Sequence, residues 1–135
     1  MTYLLDACAL LAVINGESEA DKVLDLLKDA KACVADLSMS IVQLLEVYYD
    51  QIYFAGEDEA RIIVEHILSD PIAIIESTSY PVMYDAGKFK TSYSISLADC
   101  IAAATAKSFG MTLVTKDPEF KAAEEAGEVS VLWLG

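Results

Sequence analysis

Arginine and histidine are nearly missing: the 135 residues hold one of each, Arg61 and His66. Cysteine is scarce as well, and Cys8, Cys33 and Cys100 form no CxxC or Cys/His cluster. This argues against a zinc centre of thiolates and imidazoles, and the odd count and apolar flanks read as reduced core residues. Long apolar runs are absent too. Stretches such as Ala7–Ile14 fall far short of the ~18 residues that cross a bilayer, so no membrane span is expected. The N-terminus has no basic segment and carries Asp6 inside its apolar stretch, which argues against a secretory signal and for a cytoplasmic protein. Three prolines and six glycines fall singly, with no repeat, linker or charge block. A single domain over residues 1–135 is expected.

Acid is what the chain has in excess, with 22 Asp and Glu against 9 Lys and Arg and a formal net charge of −13. Hydrophobic residues make up 55%, enough for a sizeable core, so intrinsic disorder is excluded as the main description. The apolar pattern then alternates between strands and helices. Thr2 to Leu5 reads as a buried strand, and Ala7 to Ile14 as a helix stopped by Asn15-Gly16. Glu17 to Lys31 has apolar residues at helical spacing, acids in its first turn and lysines in its last, as the helix dipole prefers. Ala32 to Leu37 reads as a second strand. Ser40 with Gln43 forms a capping box that opens a helix toward Gly56, and Glu57 to Leu68 is a further helix. Pro71 to Glu76 is a β-branched strand and Tyr80 to Phe89 a helix. Ser96 with Asp99 caps an Ala-rich helix that stops near Gly110. Met111 to Thr115, a short helix near Asp117 to Glu125, and Val129 to Leu134 close the chain. Such alternation predicts an α/β domain, a mostly parallel sheet covered by helices on both faces.

Ligands of such sheets bind at the carboxyl ends of the strands, near a topological switch point. Asp6 directly follows the first strand and Asp117 lies just past the strand ending at Thr115. From Asp99 the helix descends roughly 15 Å at ~1.5 Å per residue. The following strand climbs back by a similar length at ~3.3 Å per residue, which returns Asp117 to the level of Asp99. Glu46, among Leu44, Leu45 and Val47, faces either this site or solvent. Carboxylates converging there repel by roughly 4 kcal/mol per pair at 4 Å and an effective dielectric near 20. Raised pKa values or a hard divalent cation must relieve that repulsion. Oxygen ligands suit magnesium or manganese, which favour phosphate chemistry and so point to phosphodiester hydrolysis.

The motifs Leu4-Leu5-Asp6-Ala7-Cys8, Leu44-Leu45-Glu46-Val47, Leu97-Ala98-Asp99-Cys100-Ile101 and Leu113-Val114-Thr115-Lys116-Asp117 occur in an order that resembles the PIN-domain ribonucleases, and within them the small VapC-type toxins. The resemblance spans nearly the whole chain. It implies a three-layer α/β/α sandwich, metal-dependent endoribonuclease activity with Mg2+ or Mn2+, an RNA substrate, a homodimer and a small antitoxin partner. Carried over, Asp6, Glu46, Asp99 and Asp117 form the catalytic, metal-binding quartet. Cys8 departs from the pattern, since Ser or Thr commonly stands two residues after the first aspartate, and a thiol is the weaker hydrogen-bonding group. Thr115 matches the hydroxyl before the last aspartate.

Each acid also has a plain structural reading. Asp117-Pro118 suits an N-cap with proline at the first helical position, and Asp99 suits a capping box. Asp36, Asp50, Asp85 and Glu57-Asp58-Glu59 read as solvated faces or caps, with Asp36 the one to check at the same strand edge. The charge of −13 opposes binding of a polyanion. Lys88, Lys90 and Lys116, with Thr115, are the candidate substrate contacts, although Lys88 and Lys90 equally suit a helix C-terminus, and Tyr93 is either a stacking platform or packed. A haloacid-dehalogenase-type phosphatase wants Asp where Cys8 stands, and a receiver domain wants an order of acids that is absent here. The competing class is a PIN-like binding or scaffold module with a weakened site.

Overall fold

Strands this short and apolar are stable only when helices cover both faces of their sheet. In the computed structural model, which describes residues 1–135, five such strands pair in parallel: β1 (Thr2–Leu5), β2 (Asp36–Ser40), β3 (Ile72–Ile75), β4 (Thr112–Thr115) and β5 (Ser130–Trp133). Their order across the sheet is β3-β2-β1-β4-β5. The helices are α1 (Ala7–Ile14), α2 (Ala20–Lys31), α3 (Ile41–Ala55), α4 (Glu57–Ser69), α5 (Tyr80–Ser92), α6 (Leu97–Phe109) and α7 (Lys121–Glu125), with a 3-10 turn at Pro118–Phe120 before α7.

The strands' two-residue side-chain period assigns the layers. Leu4 and Leu113 enter a core shared with Phe89 of α5, Ala103 of α6 and Phe120. Their successors Leu5 and Val114 enter a second core with Leu10 of α1, Val23 of α2, Val47 of α3 and Ile67 of α4. Helices α1–α4 therefore cover one face and α5–α7 the other, the expected three-layer α/β/α arrangement. The chain moves outward from β1 to β2 and β3, then returns to β4 on the other side of β1, which makes the β1/β4 pair the switch point. No helix is long and apolar enough to cross a membrane.

Three local expectations are corrected. The second strand is Asp36–Ser40, not Ala32 to Leu37, because α2 ends in a C-terminal turn in which the amides of Val34 and Ala35 both reach Asp29 O. Cys33 holds the left-handed position of that turn at φ 59°, a place where glycine is the usual signal. Asp36 consequently pairs with Thr2 at the amino edge of the sheet, away from Asp6. Helix α2 begins at Ala20, so Glu17 and Glu19 lie before it. Of the cysteines, only Cys100 is buried in the core; Cys8 is half-buried and Cys33 exposed.

Candidate active site

The carboxyl ends of β1 and β4 set the centre of the site. Leu5 pairs with Val114, and the amide of Asp6 continues the ladder by donating to Val114 O at 3.0 Å. This buries Asp6 at 3% exposure, so its carboxylate needs partners. Oδ1 accepts from Ala7 N at 2.8 Å, as an N-cap of α1. Oδ2 accepts from Thr115 Oγ1 at 2.7 Å and from Cys8 Sγ at 3.2 Å. Thr115 Oγ1 in turn accepts from Asp117 N at 3.0 Å, and Cys8 Sγ accepts from Lys116 N at 3.4 Å. Asp117 also caps the 3-10 turn, accepting from Glu119 N at 3.0 Å. Its structural and site readings thus both hold for one carboxylate.

Glu46 comes from the second turn of α3 and Asp99 from the first turn of α6. Ser96 caps α6 as expected, accepting from Asp99 N at 3.3 Å. One carboxylate oxygen each from Asp6, Glu46 and Asp99 lie within 4.8 Å of one another, and the same holds for Asp99, Asp117 and Glu119. Glu46 Oε1 is buried with no hydrogen-bond partner, while Oε2 meets only the distant Tyr49 hydroxyl at 3.5 Å. A buried, unpaired oxygen on a carboxylate clustered with two other acids fits a hard divalent cation, which takes oxygen ligands.

The protonation of the cluster carries the same information. Burial pushes the Asp99 carboxyl up to about 8, with the charge of Asp6 and a hydrogen bond shared with Glu119 adding to it. Burial also raises Asp6, against hydrogen bonds from Thr115, Cys8 and Ala7, and raises Glu46, with the Asp6 charge behind it. The Cys8 thiol is pushed up to about 12 by burial and then by the Asp6 charge, so it is neutral at working pH. Without a cation Asp99 therefore retains its proton near neutral pH.

These side chains line a cleft of about 230 Å³, whose wall includes Asp6, Cys8, Glu46, Tyr49, Asp50, Asp99 and Asp117. Asp50, read from sequence as solvated, is a wall residue here because it lies one helical turn beyond Glu46. Glu119 escaped the sequence analysis; its Oε2 accepts from Ser96 N at 3.3 Å, closing the N-terminus of α6 where Asp99 had seemed sufficient. An acid two residues after Asp117 was the available signal.

Of the candidate substrate contacts, Thr115 is fully buried, beneath the cleft and not on its wall. Lys116 is ion-paired to Glu17 and reaches Glu19 at 3.8 Å, so the acids read as the first turn of α2 neutralise it. Lys90 Nζ donates to Ile95 O at 2.9 Å, and Lys88 is exposed on α5. Tyr93 packs on Phe89, ring centroids 5.9 Å apart.

The structure superposes on VapBC2 of Rickettsia felis, solved bound to a promoter DNA fragment, with a TM-score of 0.78 and 22% identity over 98% of each chain. It also superposes on VapBC-1 of nontypeable Haemophilus influenzae, with a TM-score of 0.71 and 17% identity over 99% of this chain and 98% of that one. VapC20 of Mycobacterium tuberculosis, described as a sarcin-ricin loop cleaving toxin, gives a TM-score of 0.70 and 16% identity over 90% of this chain and 94% of that one. At these identities the likeness is one of fold. A search of curated proteins gives no match. The sequence model of the PIN domain matches residues 3–126, nearly the full length, and the chain belongs to the PIN-domain family.

Proposed function

We propose that this PIN domain is an endoribonuclease dependent on Mg2+ or Mn2+. Its context is that of the toxin in a toxin–antitoxin pair, a cytoplasmic homodimer of one domain per chain, blocked by a small antitoxin protein. The observation that carries the activity is the meeting of one carboxylate oxygen each from Asp6, Glu46 and Asp99 within 4.8 Å, with Glu46 Oε1 buried and unpartnered. Structural neighbours described as VapBC pairs, and one described as cleaving the sarcin-ricin loop, support the partner and the RNA substrate.

Asp6, Glu46, Asp99 and Asp117 would hold the cation. When bound there, a hard divalent ion supplies Lewis acidity and positive charge against the developing charge of a phosphodiester. The chain's own residues do the rest. Thr115 and Cys8 hold Asp6 from beneath, and Asp117 is fixed through the same hydroxyl. Glu46 completes the cluster, either directly as a ligand or by orienting an attacking water; the water adds to phosphorus and one P–O ester bond breaks, giving a phosphomonoester and a hydroxyl. Lys88, exposed, is the first candidate for phosphate contact, since Lys116 and Lys90 already have partners.

The test is cleavage of a mixed RNA pool with magnesium, manganese or EDTA, alongside Asp6→Asn. Metal-dependent cleavage that EDTA and the substitution abolish is expected; cleavage indifferent to both overturns the site. A second reading, a binding or scaffold module with a weakened site, is favoured by the thiol of Cys8 against Asp6 Oδ2. A folded protein that cleaves nothing with either metal would establish that reading instead.

A further inference from the structure

Gln43 is uncharged and is not on the wall of the acidic cleft, yet it is completely buried and both ends of its carboxamide are used. The sequence pairs it with Ser40 in a capping box, but Ser40 Oγ accepts from Val42 N at 3.2 Å and leaves Gln43 free to turn inward. Gln43 Oε1 accepts from Ala7 N at 3.1 Å, and Nε2 donates to Ala98 O at 3.0 Å. Ala7 follows Asp6 and Ala98 precedes Asp99. Glu46 lies three residues further along the same helix, on the face that Gln43 presents. One side chain therefore ties together the three backbone segments that supply the Asp6, Glu46 and Asp99 carboxylates.

The chemistry of the position is narrow. Bridging an N–H and a C=O at once, without adding charge beside three acids, takes a neutral side chain with donor and acceptor on separate atoms, which the carboxamide of Gln43 supplies. An ionised glutamate would accept from Ala7 but offer Ala98 nothing, and would add a buried charge. An apolar isostere would fill the volume and bind neither. The bond to Ala7 N is also shared, because Asp6 Oδ1 accepts from the same amide, so Gln43 acts on the turn that orients the Asp6 carboxylate.

We infer that Gln43 is a positioning residue of the metal site, its carboxamide fixing the spacing between the Asp6 and Asp99 turns and Glu46. The inference rests on the proposal that those three carboxylates hold a divalent cation. Magnesium demands near-ideal octahedral geometry, so a small drift between two turns costs affinity even though no ligand is lost.

The experiment uses the full chain, with Mn2+ as the probe. Binding is read by electron paramagnetic resonance in the wild type, Gln43→Met, Val47→Ala and Asp6→Asn, and thermal stability is measured on the same samples. Val47 is buried in the core on the same helix, so its truncation controls for general loosening. Gln43→Met is expected to weaken Mn2+ binding by about tenfold or more, the usual effect of removing a group that orients a ligand. It should lower kcat for RNA with little change in KM. Val47→Ala should lower the melting temperature and leave Mn2+ affinity as it is. If Gln43→Met does not fold, Gln43→Asn, one methylene short of its partners, replaces it. Unchanged Mn2+ affinity in the Gln43 variant, or an equal loss in Val47→Ala, overturns the inference alone. A wild type that binds no Mn2+, or binds it as well as Asp6→Asn does, overturns the metal site itself and the inference with it.

Discussion

Thr115 Oγ1 donates to Asp6 Oδ2 over 2.7 Å, joining residues 109 positions apart, and the same oxygen accepts the amide of Asp117. One buried hydroxyl thus serves two of the four proposed site acids. Thr115→Val keeps the shape and removes the group, leaving a buried carboxylate short of a donor and a backbone amide short of an acceptor. A loss of roughly 1–3 kcal/mol in urea unfolding is expected, with most of it restored in Thr115→Ser. Equal stability of Thr115→Val and the wild type would mean that the bond has no net worth.

Asp99 makes the metal-free protein sensitive to pH in a defined direction. Its folded pKa is raised from 3.8 to about 8, so the folded state binds the proton more tightly than the unfolded one. The stability this contributes is full at the acidic end of that window and is lost as pH rises through the folded value. Asp99→Asn carries no proton to lose. In EDTA its melting temperature should exceed that of the wild type by on the order of 5 °C near pH 9, with a smaller gap near pH 6. Magnesium should close the gap for the wild type alone. A gap that does not grow with pH contradicts the assignment.

The layers were legible in the sequence because short apolar strands, buried on both faces, alternate with helices whose i, i+3, i+4 apolar residues bury one face. Asp6, Asp99 and Asp117 were legible for a related reason: strand and helix rise fix which ends of the elements meet. What escaped was decided by side chains reaching across the fold. Gln43 satisfied a capping rule on paper and bonds two other helices instead. Glu17 and Glu19 suited the dipole of α2, but Lys116 on a neighbouring strand end takes both. The end of α2 was misplaced because Cys33 occupies a turn position that glycine normally announces.

That turn yields a stability prediction independent of the site. Cys33 is exposed at φ 59°, where a side chain with a Cβ is disfavoured and glycine is not. Cys33→Gly should stabilise the protein by about 0.5–1 kcal/mol in chemical denaturation, after the greater freedom of glycine in the unfolded chain is set against the relief. Cys33→Ala keeps the Cβ and should gain nothing. If alanine and glycine behave alike, the left-handed strain is not what the substitution relieves.

Cys8 decides how strong the site is. Its thiol, pushed up to about 12, is a neutral donor to Asp6 Oδ2 at 3.2 Å and contacts Thr115 Oγ1 at 3.3 Å. A hydroxyl at the same position bonds more strongly than a thiol. Cys8→Ser should therefore hold Asp6 more firmly and lower the magnesium concentration for half-maximal RNA cleavage by about two- to fivefold, the worth of ~0.5–1 kcal/mol in one hydrogen bond. Cys8→Ala removes the donor and should shift that concentration upward. The comparison is made on magnesium titrations of cleavage rate at fixed RNA. Three identical titrations would show that the position next to Asp6 is indifferent to hydrogen bonding. A serine variant that cleaves while the wild type does not would mark the thiol as the substitution that weakened this PIN domain.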